Sequence, residues 1–169
     1  MLQSAWLHEG PSAVRYPRGE GTGIAIDAGL PAMEIGKAEM VSKGTGIAIL
    51  NFGVLLDQAL AAAEALGATV VDMRWVKPLD EAMILSLVEQ HDLLITVEEN
   101  ALAGGAGSGV AEFLAKAGVI CQLRHVGIPD AFIAHAGQGE CRQLAGLTAD
   151  NIIAVAQSTA PATTSKQAL

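Results

Sequence analysis

The sequence predicts an α/β fold, a three-layer α/β/α sandwich in which helices cover both faces of a five-stranded, mostly parallel sheet. Apolar runs of strand length alternate with amphipathic segments from residue 35 to residue 157. Several of these runs are continuously apolar, which is typical of strands buried on both faces. Apolar residues make up 51% of the chain and aromatic residues only 4%, so Ala, Leu, Val and Ile must fill the core.

Five strands are predicted, at residues 35–41, 46–51, 68–73, 92–97 and 119–126. Residues 42–45 form a short polar link that predicts a tight turn, and tight turns join antiparallel neighbours. We therefore expect the first strand to run antiparallel beside the second. The later strands are separated by helical segments, which predicts parallel pairing through right-handed crossovers.

The predicted helices have recognisable ends. Apolar residues recur at helical spacing over residues 55–66, and Gly67 follows as a C-terminal stop. The next helix begins after Pro78, with Asp80 as its N-cap. A third helix follows the glycine-rich segment 104–109, and two more are expected near residues 138–145 and 149–157.

The two ends of the chain look different from this alternating region. Residues 1–35 contain five glycines and three prolines without a sustained period, which predicts strand-and-loop pieces, with a linker at residues 29–31. The tail from Ser158 is small and polar, so we expect it to fray.

Charge and composition exclude several classes of protein. The net charge is −8, with ten basic and eighteen acidic residues. The chain therefore lacks the excess of basic residues that is typical of nucleic-acid-binding proteins. No apolar run approaches the roughly 20 residues that span a bilayer, and the first residues lack a signal-peptide pattern. We expect a soluble cytoplasmic protein. Cys121 and Cys141 lie far apart without partner spacing, which supports neither a disulfide nor a zinc site.

Ligands of open α/β sheets bind beyond the carboxyl ends of the strands. In this chain those ends are residues 51–53, 74–78, 98–100 and 127–130. Arg74 could meet a ligand there or form an internal ion pair. Glu98 and Glu99 are adjacent, so on a strand they point to opposite faces and do not form a facing carboxylate pair.

Arg15 and Arg18 flank Pro17 in a chain with few cations. Two guanidiniums held by a stiff backbone suit a phosphate or carboxylate, although the pair could equally bind local acidic residues. The glycines of segment 104–109 could cradle a phosphate. The acidic residue of the dinucleotide fingerprint and the phosphate-loop lysine are missing, which favours close helix packing and a tight turn.

Four blocks of sequence together resemble the C-terminal part of the 1-deoxy-D-xylulose-5-phosphate synthase family, in the transketolase-like superfamily. They are residues 10–19, 71–80, 97–100 with 104–109, and 127–130 with 132–133. The likeness runs from about residue 2 to residue 156. It implies a homodimeric transferase of the non-mevalonate pathway of isoprenoid biosynthesis. Its substrates would be pyruvate and glyceraldehyde 3-phosphate, and its cofactors thiamine diphosphate and magnesium.

The resemblance also implies roles for parts of this chain. Arg15 and Arg74 match arginines that contact the phosphate of glyceraldehyde 3-phosphate, and Arg18 would support them. Residues 1–33 would be the tail of the pyrimidine-binding middle domain plus a linker, 34–157 a transketolase C-terminal-like domain, and 158–169 a flexible tail.

The residues that catalyse the reaction or bind cofactor and metal are not expected in this chain, because the Gly-Asp-Gly metal motif is absent. The chain alone is therefore expected to be inactive. The alternative is a stand-alone anion-binding, protein-binding or dimerisation module that reuses the same domain.

Overall fold

The computed structural model describes residues 1–14, 16, 23, 29 and 31–158. The strands are β1 (Glu39–Ser42), β2 (Gly46–Phe52), β3 (Thr69–Asp72), β4 (His91–Ala101) and β5 (Gln122–Ile128). The helices are α1 (Leu2–Leu7), α2 (Leu56–Leu66), α3 (Glu81–Gln90), α4 (Ala106–Lys116), α5 (Gln138–Leu144) and α6 (Ala149–Gln157).

All five strands form one sheet in the order β1-β3-β2-β4-β5. β1 runs antiparallel to β3, and the remaining pairs are parallel. The predicted strand number and the antiparallel first strand are therefore confirmed.

The predicted pairing of the first two strands was wrong, because β3 lies between β1 and β2. Instead of making a tight hairpin, the link between β1 and β2 passes over the amino end of β3. Gly44 donates its N–H to the Thr69 hydroxyl, and Thr45 donates its N–H to the carbonyl of Gly67. A Cβ at Gly44 would overlap the backbone of Gly67 and Ala68, so the crossing requires glycine at this point.

The sheet separates two apolar layers, which gives the predicted three-layer sandwich. On one face, α2 and α6 pack against residues such as Ile49, Ile95 and Val97. On the other face, α3 and α4 pack against residues such as Leu50 and Leu94. The central strands are buried on both sides, which explains their continuously apolar sequences.

The helix ends follow the local signals. Gly67 is the C-cap of α2 in the left-handed conformation, with φ +64°, a geometry that favours glycine. Asp80 caps α3: one carboxylate oxygen accepts the N–H of Met83 at 3.1 Å, and the other accepts the N–H of Ala38 at 2.9 Å. Asp80 thus joins α3 to the start of β1. In the described part of the chain, no helix combines the length and apolar character needed to cross a membrane.

Several segments differ from the prediction, and among them β5 begins at Gln122 and not at residue 119. The chain starts with a short helix, α1, in place of strand-and-loop pieces, since no glycine or proline occurs before Gly10 to interrupt it. β1 begins at Glu39, four residues later than expected. β4 continues to Ala101, which pairs with Ile128 of β5 after an irregularity in register. Interstrand hydrogen bonding, which local patterns do not reveal, sets that end.

Candidate functional site

A cavity of about 810 Å³ opens at the carboxyl ends of β2, β3 and β4. Its wall includes Gly53 after β2, Arg74 after β3, Glu98 and Glu99 near the end of β4, and the start of α4. Tyr16 also contributes to the wall. Three of the four predicted strand ends therefore meet at one site, as expected for an open parallel sheet.

The fourth predicted end, residues 127–130, does not line this cavity. The extension of β4 explains the difference. Leu102 donates its N–H to the carbonyl of Ile128, and a Cβ on Gly127 would lie 2.8 Å from the Leu102 side chain. The end of β4 therefore stands between β5 and the cavity.

Arg74 has an unusual backbone. Its φ is +58°, and among the described residues it is the only non-glycine residue with a positive φ. The left-handed region disfavours side chains with a Cβ, and residues held there concentrate at functional sites. Arg74 lies two residues beyond the end of β3, and its side chain lines the cavity wall.

Two carboxylates face the Arg74 guanidinium. Glu39 of β1 forms an ion pair with one terminal nitrogen, and Asp72 Oδ2 lies 3.8 Å from Nε. The internal ion pair considered from the sequence is therefore present. It does not exclude a ligand, because Arg74 remains 23% exposed.

Asp72 is the more buried of the two carboxylates. Burial raises the pKa of Asp72 above its ordinary value, while hydrogen bonds from the Arg74 backbone and the Asn51 side chain act in the opposite direction. The Asn51 amide donates to the carbonyl of Gly53 at 2.9 Å. Asp72 therefore lies between Arg74 and a residue that is itself held at the end of β2.

Several buried polar atoms around Arg74 lack partners among the described residues. They are Asn51 Oδ1, Arg74 Nε and Trp75 Nε1. Buried polar atoms are seldom left without a hydrogen bond, so such a group at a cavity points to water or ligand. Among the described residues, the unpartnered buried side-chain atoms thus lie at the carboxyl ends of β2 and β3.

Glu98 closes the opposite wall. It is only 2% exposed, and its carboxylate accepts the N–H groups of Ala106 at 2.7 Å and Gly107 at 2.8 Å. A protein carboxylate thus occupies the amino end of α4, where a bound phosphate would otherwise accept these hydrogen bonds. This contact supports the packing interpretation of the glycine-rich segment.

Glu99 points away from Glu98, as the strand geometry requires. It accepts a hydrogen bond from Arg142 Nε of α5 at 2.9 Å. The two neighbouring glutamates therefore bind different helices. Neither forms the facing carboxylate pair of an acid–base catalyst, as predicted.

His125 lies behind Gly107, on β5. Its Nδ1 is 2.6 Å from the Thr96 hydroxyl, and the two side chains are hydrogen bonded. Burial lowers the pKa of His125, and the negative charge of Glu98 opposes that shift. The ring supports the helix start and does not line the cavity.

The predicted phosphate ligands divide into two groups. Arg74 lies at the cavity, whereas Arg15 and Arg18 fall outside the described residues. Sequence reasoning did not single out Glu39 or Asn51 as partners of this site. Glu39 lies within the predicted first strand, but only the strand register places it beside Arg74.

The described residues do not fit thiamine diphosphate or magnesium. No cluster of three or more His, Cys, Asp or Glu side chains with metal-binding geometry occurs among them. The amide donors at the start of α4, the obvious place for a diphosphate, are already paired with Glu98. We therefore assign no cofactor contact to this part of the chain.

Comparisons with known proteins give a consistent picture. The family model for "Transketolase, C-terminal domain" matches residues 36–152. A 1-deoxy-D-xylulose-5-phosphate synthase from Thioalkalivibrio sulfidiphilus is 52% identical over 158 residues, which are 94% of this chain and 25% of that protein. The synthase from Vibrio parahaemolyticus is 53% identical over 152 residues, covering 90% of this chain and 24% of that protein.

The chain spans about a quarter of the length of these curated relatives. Among solved structures, a split-gene transketolase described as an inactive β4 tetramer superimposes with a TM-score of 0.70 at 30% identity. The match covers 75% of this chain and 43% of that one.

Proposed function

Because this chain belongs to the transketolase C-terminal domain family, we propose that it supplies the C-terminal domain of a 1-deoxy-D-xylulose-5-phosphate synthase. In this reaction pyruvate loses CO2, and its two remaining carbons are joined to glyceraldehyde 3-phosphate. Relatives about half identical over nearly the whole chain carry this name. The product is a precursor of isoprenoids, and the complete enzyme is a homodimer in the cytoplasm.

The role of this domain is to bind the phosphate of glyceraldehyde 3-phosphate. Arg74 is the principal ligand on the domain, Arg15 is its counterpart, and Arg18 supports Arg15. The observation that carries this proposal is the left-handed backbone of Arg74 at the wall of the cavity, with a buried Nε that lacks a hydrogen-bond partner among the described residues. A guanidinium presents donors matched to phosphate oxygens.

The chemistry of decarboxylation comes from thiamine diphosphate and magnesium bound by the rest of the enzyme. Since the described residues of this chain offer no site for either group, the chain by itself is inactive. The split-gene transketolase, which was inactive as a β4 tetramer, supports this view. Adding a separately expressed N-terminal part should restore activity.

Steady-state kinetics of the full-length synthase carrying this domain test the role of Arg74. Arg74→Met should lower kcat/KM for glyceraldehyde 3-phosphate by about 10- to 100-fold, the range expected for losing a charged hydrogen bond. The KM for pyruvate should not change. Lys116→Met is the matched control, because Lys116 is an exposed cation at the far end of α4.

An Arg74→Met enzyme with unchanged kinetics for glyceraldehyde 3-phosphate would contradict the assigned role.

The inactivity of the separate chain has its own test. Isothermal titration of the 169-residue chain with thiamine diphosphate and magnesium should show no binding. Micromolar affinity for thiamine diphosphate would refute the proposal that the rest of the enzyme binds the cofactor and the metal.

A further inference from the structure

Two protein carboxylates contact the Arg74 guanidinium. We propose that Glu39 competes with the substrate phosphate for Arg74 and thereby lowers the affinity of the site for phosphorylated substrates. Phosphate binding displaces the Glu39 carboxylate, while Asp72 stays in place and orients the guanidinium. This inference rests on the proposed role of Arg74 as a phosphate ligand.

Strand register creates the competition. Glu39 of β1 lies directly opposite Asp72 of β3, and Asp72 lies directly opposite Asn51 of β2. Residues opposite one another on neighbouring strands share a face of the sheet. Arg74 lies beyond the end of β3, and its guanidinium reaches this row, where it contacts both carboxylates.

The charges at this position do not favour an incoming anion. Two carboxyl groups, those of Glu39 and Asp72, face the single guanidinium of Arg74. A phosphate approaching Arg74 would meet two carboxylates already bound to the same cation. One of these carboxylates must move away before Arg74 can present its full set of donors to phosphate oxygens.

Glu39 is the carboxylate that can move. Its side chain is 52% exposed and lies on the edge strand β1, whereas that of Asp72 is 24% exposed. Asp72 also lies on the inner strand β3, opposite Glu39 on one side and Asn51 on the other. A long, exposed side chain exchanges readily with water, so releasing Glu39 costs less than releasing Asp72.

The experiment follows the Arg74 Nε–H signal by NMR in the 169-residue chain during titration with inorganic phosphate, with chloride used to hold ionic strength constant. Glu39→Gln should bind phosphate about two- to fivefold more tightly than the parent. This range is the change in affinity expected from losing a partly exposed ion pair. Glu89→Gln is the control, because it removes the same charge from the exposed C-terminal end of α3, next to the amino end of β4.

A second measurement needs no substitution at Glu39. In the parent chain, the carboxyl 13C signal of Glu39 should move with the same Kd as the Arg74 signal, because one carboxylate leaves as phosphate arrives. A purely structural Glu39 would show no such coupled movement.

The outcomes separate this inference from the proposed function. If phosphate moves the Arg74 signal with the same Kd in Glu39→Gln and in the parent, the phosphate contact stands and competition by Glu39 is overturned. If phosphate fails to move the Arg74 signal in both the parent and Glu39→Gln, both proposals are overturned.

Discussion

Replacing Gly107 by alanine tests the contact by which α4 packs against the sheet. The start of α4 also forms part of one wall of the cavity. A Cβ at Gly107 would lie 2.5 Å from the Thr96 hydroxyl and 2.6 Å from His125 Nδ1. Both atoms are held in place, since they are hydrogen bonded to each other at 2.6 Å. They cannot separate without losing that bond, so α4 must move instead.

The expected cost has two parts. Forcing a methyl group into a packed site costs about 1–3 kcal/mol, and weakening the hydrogen bond between Thr96 and His125 adds about 1 kcal/mol. Helix propensity returns about 0.5–1 kcal/mol, so we expect Gly107→Ala to lower the free energy of unfolding by about 1–3 kcal/mol. Movement of α4 would also lengthen the hydrogen bond from Gly107 to Glu98, now 2.8 Å.

Gly109 provides a matched control in the same helix. A Cβ there meets no atom within 4 Å, so Gly109→Ala should stabilise the protein by about 0.5–1 kcal/mol through helix propensity. Urea denaturation followed by circular dichroism measures both changes. If Gly107→Ala were as stable as Gly109→Ala, the close seating of α4 on Thr96 and His125 would be refuted.

Three further substitutions test other contacts. Asp80→Ala should cost about 1–2 kcal/mol, because it removes the cap of α3 and the acceptor for Ala38; a loss below 0.5 kcal/mol in urea denaturation would contradict this role. Gly44→Ala should cost about 3 kcal/mol, since its Cβ would overlap rigid backbone at the crossing over β3; an unchanged denaturation midpoint would argue against that crossing. His125 has a lowered pKa in the folded protein, so the unfolded chain takes up the proton first as pH falls below about 6.5. Stability should therefore decrease with acidification through this range, and thermal unfolding of His125→Gln should show a shallower decrease; parallel pH profiles would contradict the assignment.

Local signals were sufficient for much of the fold. The predicted strands overlap the observed ones, and Gly67 and Asp80 end and begin helices as expected. These features depend on periodicity and on backbone groups within a few residues, which a sequence displays directly. The meeting of strand ends at one cavity was also predictable, because parallel topology brings them to the same edge.

The position of β1 was not predictable in this way. A four-residue polar link is compatible with a hairpin, and only the contact of Gly44 with the backbone before β3 shows that the chain crosses instead. The extension of β4 to Ala101 also depends on a distant segment, because Ala101 pairs with Ile128 of β5. Hydrogen bonds between distant segments decided both features.

By itself, the sequence determined the layered α/β architecture, the helix caps and the presence of Arg74 after a central strand, because each follows from local spacing and residue type. The tertiary structure decided what surrounds Arg74. It placed Glu39 opposite Asp72, Asn51 beside them, and the Glu98 carboxylate on the amides of α4. These neighbours come from four strands and a helix start that are far apart in the chain, and their distances depend on strand order and register, which no local pattern records.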